Sequence, residues 1–427
     1  MIFYLVGFFI IVYSISHFKK GFFCFLIYRM ILVQNITMIS LPGVPLLTLE
    51  VFMTLFFVMM FWVRRNRFKQ EKEPFPFTVP FIALALSWTV SVVFAIVGIG
   101  NAFSSYIKDV CGDIILIFIM WKLIDNEKDF YFLIKGFITL IFVSCLYGIF
   151  EGLIESNPLS EYEMTFNSDD ERTLNYDYSE DVWRGYRVKS FFEHAIGGGV
   201  MWAISIAMLL FSFGRKEIQP IPKPMGLCII ALCLICILLT KSRGPILFLL
   251  ISSIGFIQIK SRLFYYSLFF GFLVLYVGWA FWGQFADNFL SIFSSKAQEN
   301  VGGSGSEMRI EQLSAAFLLM LQSPICGLGF KFLNVLNNTL ADSLLGSESM
   351  WFTILPTFGL LGIIANLILA YYSIVIIPKK YHSRELFFFT LAYWVVGSLT
   401  SLPGLKMYYY YFVMFLIIKY SMIKYKR

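Results

Sequence analysis

The chain has 427 residues, of which 58% are hydrophobic and 14% are charged, and its mean hydropathy is +0.74. A soluble domain carries about 25% charged residues, so the composition excludes a separate soluble domain and predicts one polytopic, all-α membrane domain over residues 1–427. The formal net charge of +7 does not indicate nucleic-acid binding, because the basic residues cluster in short segments between apolar runs, as they do in cytoplasmic loops.

Long apolar runs predict a bundle of transmembrane helices, since a span needs about 20 mostly apolar residues. The basic segment Arg64–Lys69 predicts a cytoplasmic loop, and alternation of sides from there places the other basic segments, including the Lys424–Arg427 tail, on the same side. In chain order, the predicted spans are 2–16, 21–40, 44–63, 77–98, 107–124, 130–152, 194–213, 225–240, 245–259, 263–283, 349–377, 386–403 and 405–422.

The number of N-terminal spans stays open. The run 2–16 is short and has no basic segment before it, so no cleavable signal peptide is expected. The run 21–40 contains Arg29. If both runs span the membrane, the chain has thirteen helices and its N-terminus is outside; if only one does, it has twelve helices and both ends lie in the cytoplasm. The spans are expected to be largely unbroken, with their charges at the outer ends.

Two long loops are predicted on the non-cytoplasmic side, at residues 153–193 and 284–348. The first is acidic and rich in tyrosine. In the second, Ser304 and Glu307 have capping-box spacing, which predicts a helix near 305–322. Loops of this length are usually functional or disordered, and the aromatic content and the internal helix favour a functional interpretation.

A short turn between two spans carries two cations on the outer side. Its sequence places Lys241, Ser242, Arg243 and Gly244 between the apolar runs. A cation at membrane depth is energetically expensive and usually marks a site. The following helix points its N-terminus outward, where its N–H groups and its dipole favour an anion. The turn therefore predicts a phosphate or pyrophosphate site, and the alternative is that its cations only anchor the spans at the interface.

Further candidates lie at the ends of the two long loops. Arg187 precedes a span that begins with a glycine triplet including Gly198, where a helix or a ligand can approach the backbone closely. Taken alone, Arg187 is more often a salt-bridge partner within the acidic loop. His194 is a candidate general base, although an interfacial, hydrogen-bonded histidine explains it equally. Arg309 and Gln312 lie one turn apart on the predicted loop helix, and the three arginines are expected to converge on one polyanion.

The cysteines do not indicate a metal or redox site. Cys233 and Cys236 have CxxC spacing but lie within an apolar run, whereas such roles need polar, accessible surroundings. We interpret them as buried thiols. The outer loops hold scattered carboxylates without a histidine or cysteine cluster of ligand spacing, so no metal site is expected.

Four short segments form a pattern. Each segment alone is degenerate, but the order of the four along the chain is more specific. They are Arg187 to Gly198; Ser242-Arg243-Gly244; Gly305 to Arg309 with Ser323 to Phe330; and Glu348 to Trp351 with Phe358 to Gly362. Together they resemble the bacterial O-antigen polymerase and O-antigen ligase superfamily of polysaccharide assembly proteins. The resemblance extends over residues 187–362, and the predicted helix count fits the rest of the chain.

The resemblance implies a metal-independent glycosyltransferase that needs no cofactor. Its donor is a glycan on a polyprenyl pyrophosphate, its acceptor is a sugar hydroxyl, and Arg187, Arg243 and Arg309 hold the pyrophosphate as the glycosidic bond breaks. The polymerase branch joins repeat units of an O-antigen, capsule or exopolysaccharide on the outer side of the bacterial cytoplasmic membrane. Membrane lipids and a chain-length regulator protein are the further partners that it implies.

The acceptor base and two alternative functions stay open. The ligase branch, which transfers the finished glycan to lipid A core or another acceptor, carries a histidine late in the second loop, where this chain has Glu348 and Ser349. The histidines here are His17, His194 and His382, which disfavours a ligase and leaves Glu348 and His194 as candidate bases. A flippase or other transporter is the alternative of a different class, but it should show inverted repeats, or broken helices with charges near the midplane.

Overall fold

The computed structural model describes residues 2–32, 37–39, 47–68, 74–164, 180–181, 185–213, 215, 221–256, 306–336, 339–344 and 346–426, and most of them are helical. The helices are α1 (Ile2–Ser16), α2 (Phe18–Arg29), α3 (Leu49–Arg64), α4 (Thr78–Val93), α5 (Ile99–Asp109), α6 (Leu116–Leu123), α7 (Glu127–Ile154), α8 (Pro158–Met164), α9 (Ala195–Phe213), α10 (Lys223–Leu239), α11 (Arg243–Phe256), α12 (Ser306–Gln322), α13 (Thr339–Asp342), α14 (Met350–Tyr371), α15 (Ile377–Lys380), α16 (Arg384–Leu399) and α17 (Met407–Lys426).

Short irregular elements and strands connect these helices. π turns join α5 to α6 and α14 to α15, and 3-10 turns follow α3 and precede α13. Two antiparallel strand pairs are present, β1 (Thr37–Ile39) with β2 (Leu47–Thr48), and β3 (Glu180–Asp181) with β4 (Gly185–Tyr186). The irregular elements lie at Val110–Ile115, Tyr372–Ile376, Arg65–Arg67 and Phe332–Asn334.

Three helical segments of the described chain are long and apolar enough to cross a membrane, judged by length and composition. They are α7, α9 and the continuous segment Met350–Lys380, and shorter apolar helices are α1, α4, α10 and α11. These segments identify a helical membrane protein. The total of twelve or thirteen spans and the side on which each long loop lies stay predictions. The predicted span 263–283 lies outside the described residues.

Helix α17 lies at the centre of the helical packing. Its residues from Tyr408 to Ile418 are each at most 3% exposed, as expected for a helix that is apolar on all sides. The Phe137 ring packs 4.8 Å from the Tyr409 ring, centroid to centroid. The Tyr409 hydroxyl also lies 2.9 Å from Ser205 Oγ, so α7 and α9 both pack directly on α17.

The packed helices have two ends, and ionic contacts mark one of them. At one end, Lys19 pairs with Asp129 in the first turn of α7 at 2.6 Å, and Arg215 pairs with Glu385 in the first turn of α16 at 2.8 Å. We call the other end, where α7 and α16 finish and where α9 and α17 begin, the site end. The arginines and glycines singled out in the sequence between 187 and 244 lie there.

The predicted span 21–40 is wrong. Helix α2 ends at Arg29, and Thr37–Ile39 is a strand. Arg29 is only 6% exposed, and its Nε donates to Glu50 Oε1 at 2.7 Å. A buried guanidinium is tolerated when a carboxylate pairs with it, so this charge marks the end of a helix at a polar junction instead of the middle of a span.

Helix α14 is also not the unbroken span that the sequence predicts. Gly359 has φ +58° and ψ −153°, a conformation that only glycine adopts readily. The segment after α12 fills the break: the Leu328 N–H donates to the Pro356 carbonyl at 2.7 Å, and the Leu360 N–H donates to the Pro324 carbonyl at 2.8 Å. Two of the motif segments are therefore joined by backbone hydrogen bonds.

Candidate functional site

Arg187 packs against the turn between α10 and α11. It is 6% exposed; its Nε donates to the Thr240 carbonyl at 3.2 Å, and its Nη2 donates to Ser242 Oγ at 2.6 Å. The Val188 N–H donates to the Leu239 carbonyl at 3.2 Å. Two segments that the sequence singles out separately thus form one unit at the site end.

The remaining residues of that turn are placed by its tight geometry. Lys241 has φ +49°, and its ammonium lies beside Gly185. Arg243 is the first residue of α11, which places it at a helix N-terminus, where an anion is favoured. A Cβ on Gly244 would lie 3.0 Å from Thr400 Oγ1, so this glycine allows the turn to approach the end of α16.

Glu151, in the last turns of α7, holds the segment that carries Arg187. It is fully buried. Its Oε1 accepts from the Tyr186 hydroxyl at 2.9 Å and from the Lys189 N–H at 3.1 Å, and its Oε2 accepts from the Ser190 N–H at 2.6 Å. Glu151 was not among the predicted site residues, although an acid inside an apolar span is a signal in the sequence.

Replacing Glu151 with glutamine is expected to destabilise the protein. Glutamine offers one acceptor oxygen, so at least one of the three donors loses its partner, and a hydrogen bond to a charged group contributes about 1.5–3 kcal/mol. Thermal unfolding of the purified protein in detergent measures the change in Tm. Glu155→Gln, at the exposed end of the same helix, is the matched control. An equal Tm for both variants would show that the carboxylate does not hold this segment.

The glycine triplet 197–199 lets neighbouring backbone and side chains approach α9. A Cβ on Gly198 would lie 2.7 Å from the Phe192 ring, and one on Gly199 would collide with Pro245 of α11. Small residues permit this close approach of helices. At Gly198, which the sequence predicts as a substrate contact, the close neighbour is the Phe192 ring.

His194 lies directly before α9. Its Nδ1 accepts a hydrogen bond from the Ile196 N–H at 3.1 Å. Burial, together with the positive charges of Arg187 and Lys189, lowers the pKa of the imidazole to about 3. The ring is therefore neutral near pH 7 and binds a proton weakly. Efficient general bases have a pKa near the working pH, so these surroundings disfavour His194 as the base.

Arg309, Gln312 and Glu348 form a second cluster. Arg309 Nη2 and Nε donate to Glu348 Oε2 at 2.8 and 3.2 Å, and the Glu348 N–H donates to Gln312 Oε1 at 3.1 Å. The side chains of Arg309 and Glu348 are 30% and 24% exposed. Gln312 is 1% exposed, and its Nε2 has no hydrogen-bond partner among the described residues.

Both clusters lie against the C-terminal end of α16. Ser349 Oγ, next to Glu348, donates to the Ser398 carbonyl at 2.8 Å, and the Trp351 indole donates to Ser398 Oγ at 2.9 Å. Gly244 of the first cluster lies beside Thr400. Convergence of the three arginines on a single ligand stays a prediction.

The chemistry available at this end is that of anion binding and proton transfer. Guanidinium groups bind phosphate oxygens through paired hydrogen bonds. Glu348 supplies a partly exposed carboxylate, and the Gln312 amide supplies a buried donor. The arrangement therefore suits a reaction in which a phosphorylated group leaves and a hydroxyl is deprotonated.

Residues 228–367 match the family model described as O-antigen ligase. The match covers 140 of the 427 residues and runs from α10 through most of α14, so it contains Arg243, Arg309 and Glu348. It confirms the resemblance to the O-antigen ligase and polymerase superfamily within these residues. No curated protein matches the chain.

Proposed function

Because residues 228–367 match the O-antigen ligase family, we propose that this chain is a glycosyltransferase acting on lipid-linked glycans. More specifically, it is a polymerase that joins polyprenyl-pyrophosphate-linked repeat units of an O-antigen, capsule or exopolysaccharide. The observation that carries the proposal is the contact between Arg309 and Glu348 inside the matched segment. A cation suited to the leaving group lies beside a carboxylate suited to the acceptor proton.

The proposed reaction is a direct transfer of the donor glycan. The bond between the donor sugar C1 and the pyrophosphate oxygen breaks, and that oxygen keeps the electron pair. The acceptor hydroxyl oxygen forms the new bond to C1, and its proton passes to a base. Guanidinium groups that are already oriented stabilise the charge that develops on the leaving oxygen. The reaction is proposed to need neither metal nor cofactor.

Arg187 acts in this proposal as a positioning residue. Its Nε and Nη2 donate to the turn at Thr240 and Ser242, and the residue is only 6% exposed. By fixing that turn, it orients Lys241 and Arg243 toward the pyrophosphate. This role differs from the direct pyrophosphate contact that the family resemblance implies for Arg187.

Arg309 and Glu348 exchange partners in the proposed reaction. In the structure, the Arg309 guanidinium donates two hydrogen bonds to one carboxylate oxygen of Glu348. A pyrophosphate offers several anionic oxygens in the geometry that a guanidinium prefers, so it displaces the carboxylate when the donor binds. Glu348 is then available to take the acceptor proton, and deprotonation follows donor binding.

The glycan made by cells that lack this protein tests the proposal. A polymerase defect leaves single repeat units on the lipid carrier, which mass spectrometry of extracted lipids detects. The second candidate function is the ligase, which the description of the matched family favours. A ligase defect leaves long chains that are not attached to their final acceptor, and this result would replace the polymerase proposal.

A transporter function receives less support from the structure. The break at Gly359 is a feature that transporters share, but the sequence from Met350 to Pro378 contains no charged residue. The charges of the candidate site lie at helix ends instead.

Membrane lipids and a chain-length regulator remain the proposed partners. The proposed location is the bacterial cytoplasmic membrane, with the site end outside.

The proposed orientation predicts the location of inserted tags. Tags at Glu171 and Gly303, both outside the described residues, are expected to react with a membrane-impermeant reagent in intact cells. Tags at Arg67, Lys216 and the C-terminus are expected to react only after lysis, because basic loops stay in the cytoplasm. Labelling of cells expressing each tagged protein measures this. A cytoplasmic location for either long loop would contradict the proposed site.

A further inference from the structure

Helix α12 exposes a row of apolar side chains, although the sequence predicts this helix in a loop outside the membrane. Ile310, Leu313, Phe317 and Leu321 are 65%, 48%, 49% and 52% exposed. Their spacing of three or four residues places them on one side of the helix, and we call these four residues the apolar strip. Contiguous exposed apolar surface, unlike scattered single residues, marks contact with another molecule or with a membrane.

The other two sides of α12 differ from the apolar strip. One is a polar side of exposed residues: Glu307, Glu311, Ser314 and Gln322. Leu318 also lies on this side, and Met308 borders it. The third side, with Ala316 and Leu319, is buried against the segment that follows the helix. A helix with separate apolar and polar surfaces of this kind suits the plane between lipid and water.

Both ends of α12 lie at the site end of the bundle. At its N-terminal end, Arg309 pairs with Glu348, whose neighbour in the chain donates to the Ser398 carbonyl in the last turn of α16. Beyond its C-terminal end, the Ile96 N–H, directly after α4, donates to the Leu328 carbonyl at 3.0 Å. The helix and the turn after it therefore connect the ends of α16 and α4.

Helix α4 finishes at the site end because it begins at the opposite one. The Phe75 ring, just before α4, lies 6.2 Å from the Trp121 ring, centroid to centroid. Asp125, four residues after Trp121, pairs with Lys19 at the end opposite the site. Helix α12 thus runs across the site end, and its 17 residues give it a length of about 25 Å.

The apolar strip continues onto the exposed surface of a membrane span. Ile325, just beyond α12, is exposed, and its carbonyl accepts from the Leu361 N–H at 3.2 Å. Leu360 and Ile364 are exposed on the segment Met350–Lys380, which is long and apolar enough to cross a membrane. Apolar side chains exposed on such a segment face lipid, so the adjoining strip of α12 has the same neighbour available.

We propose that α12 is an interfacial helix whose apolar strip lies in the acyl chains of the lipid leaflet at the site end. Such a helix inserts its apolar side about 5–10 Å into the boundary between headgroups and acyl chains, and its polar side stays in water. Glu307 and Glu311 make that polar side acidic, so attraction to anionic headgroups does not hold the helix. Its hydrogen-bonded connections to α14 and α4 do.

Arg309 lies at the edge of the apolar strip, one turn before Leu313. In an interfacial helix, this position is at the depth of the lipid phosphates. A donor that is tethered by its polyprenyl chain then reaches the guanidinium without leaving the leaflet. This path for the donor rests on the proposed glycosyltransferase function, whereas the placement of the helix does not.

Photocrosslinking of the full-length protein tests the placement of α12. The photoreactive residue p-benzoylphenylalanine is introduced in place of Phe317 on the apolar strip, or in place of Glu311 on the polar side as the matched control. The protein is irradiated in nanodiscs of phosphatidylethanolamine and phosphatidylglycerol, and mass spectrometry measures the phospholipid adducts. The yield at position 317 is expected to be several-fold higher than at position 311, because the benzophenone group reacts with nearby C–H bonds.

Equal yields at the two positions, in variants with a wild-type Tm, would overturn the interfacial placement. An adduct between two protein chains at position 317 would also overturn it, because a second copy would then cover the strip. If the variant at Phe317 fails to fold, the same residue at Leu321 replaces it. Phospholipid adducts on the strip of a protein that extends no chain would support the interfacial helix and reject the proposed function.

The path of the donor has its own test in the same nanodiscs. Polyprenyl pyrophosphate is added, and p-benzoylphenylalanine in place of Leu313 is expected to form an adduct with the prenyl chain. Arg309→Ala is expected to lower the yield of this prenyl adduct several-fold and to leave the phospholipid adducts unchanged. An unchanged prenyl yield would show that Arg309 does not hold the donor beside the strip.

Discussion

Arg309→Ala is expected to reduce the rate of chain extension by about 10²–10³-fold, the effect of removing one oriented donor from a developing oxyanion. Arg309 lies within the family-matched residues, and its side chain is 30% exposed, so its loss leaves little buried surface unpacked. Lysine is expected to restore activity poorly, because an ammonium does not form the paired hydrogen bonds of a guanidinium. Extension of a lipid-linked repeat unit by purified protein measures these rates.

Glu311→Ala is the matched control for this experiment. Glu311 is an exposed residue on the same helix, α12, and its substitution is expected to leave the rate unchanged. Protein yield and Tm of the variants establish that each folds. Near-normal extension by Arg309→Ala would remove this guanidinium from the proposed pyrophosphate site.

Glu348→Gln is expected to have opposite effects on catalysis and on pyrophosphate binding. Loss of a general base typically slows a reaction about 10²–10⁴-fold, so extension should slow by this amount. Polyprenyl pyrophosphate without a sugar should bind more tightly, because glutamine competes less strongly than a carboxylate for the Arg309 guanidinium. His194→Ala is expected to slow extension less, because the low pKa of this histidine makes it a poor base.

Initial rates and the Kd of polyprenyl pyrophosphate, measured on the same preparations, separate these effects. A purely structural role for the Arg309–Glu348 pair would weaken both properties in Glu348→Gln. Tighter binding of polyprenyl pyrophosphate with a full catalytic rate would support the displacement of Glu348 from Arg309, but it would assign the base to another residue. Weaker binding would contradict the exchange.

The apolar helices of this chain follow from its sequence more directly than their ends do. A run of about 20 apolar residues has few alternatives to a helix, so α7, α9 and α16 lie close to their predicted positions. Arg29 ends α2 early because it pairs with Glu50, 21 positions later in the chain. The break at Gly359 depends on the segment near Pro324. Neither partner is visible in a local window of sequence.

The candidate site was predictable as a set of residues and less so as a set of contacts. Charges at apolar boundaries indicated Arg187 and Arg243, and Arg309 was a candidate on the predicted loop helix. Arg187 pairs with Ser242, and Arg309 pairs with Glu348. Both pairs join segments that are far apart in sequence, and the sequence alone does not show that these segments lie close together in space. Glu151 is a single charge in an apolar span, which is a signal in the sequence, but only the fold shows which groups it contacts.

Reconstitution with a defined substrate tests whether this protein is a polymerase. Purified protein is mixed with the lipid-linked single repeat unit in the presence of EDTA, and the products are separated by size and identified by mass spectrometry. A polymerase is expected to give a ladder of glycans that differ by one repeat unit, with one polyprenyl pyrophosphate released for each unit added. Wild-type protein that leaves the repeat unit unextended, but transfers a preformed long glycan to a lipid A core acceptor, would contradict it.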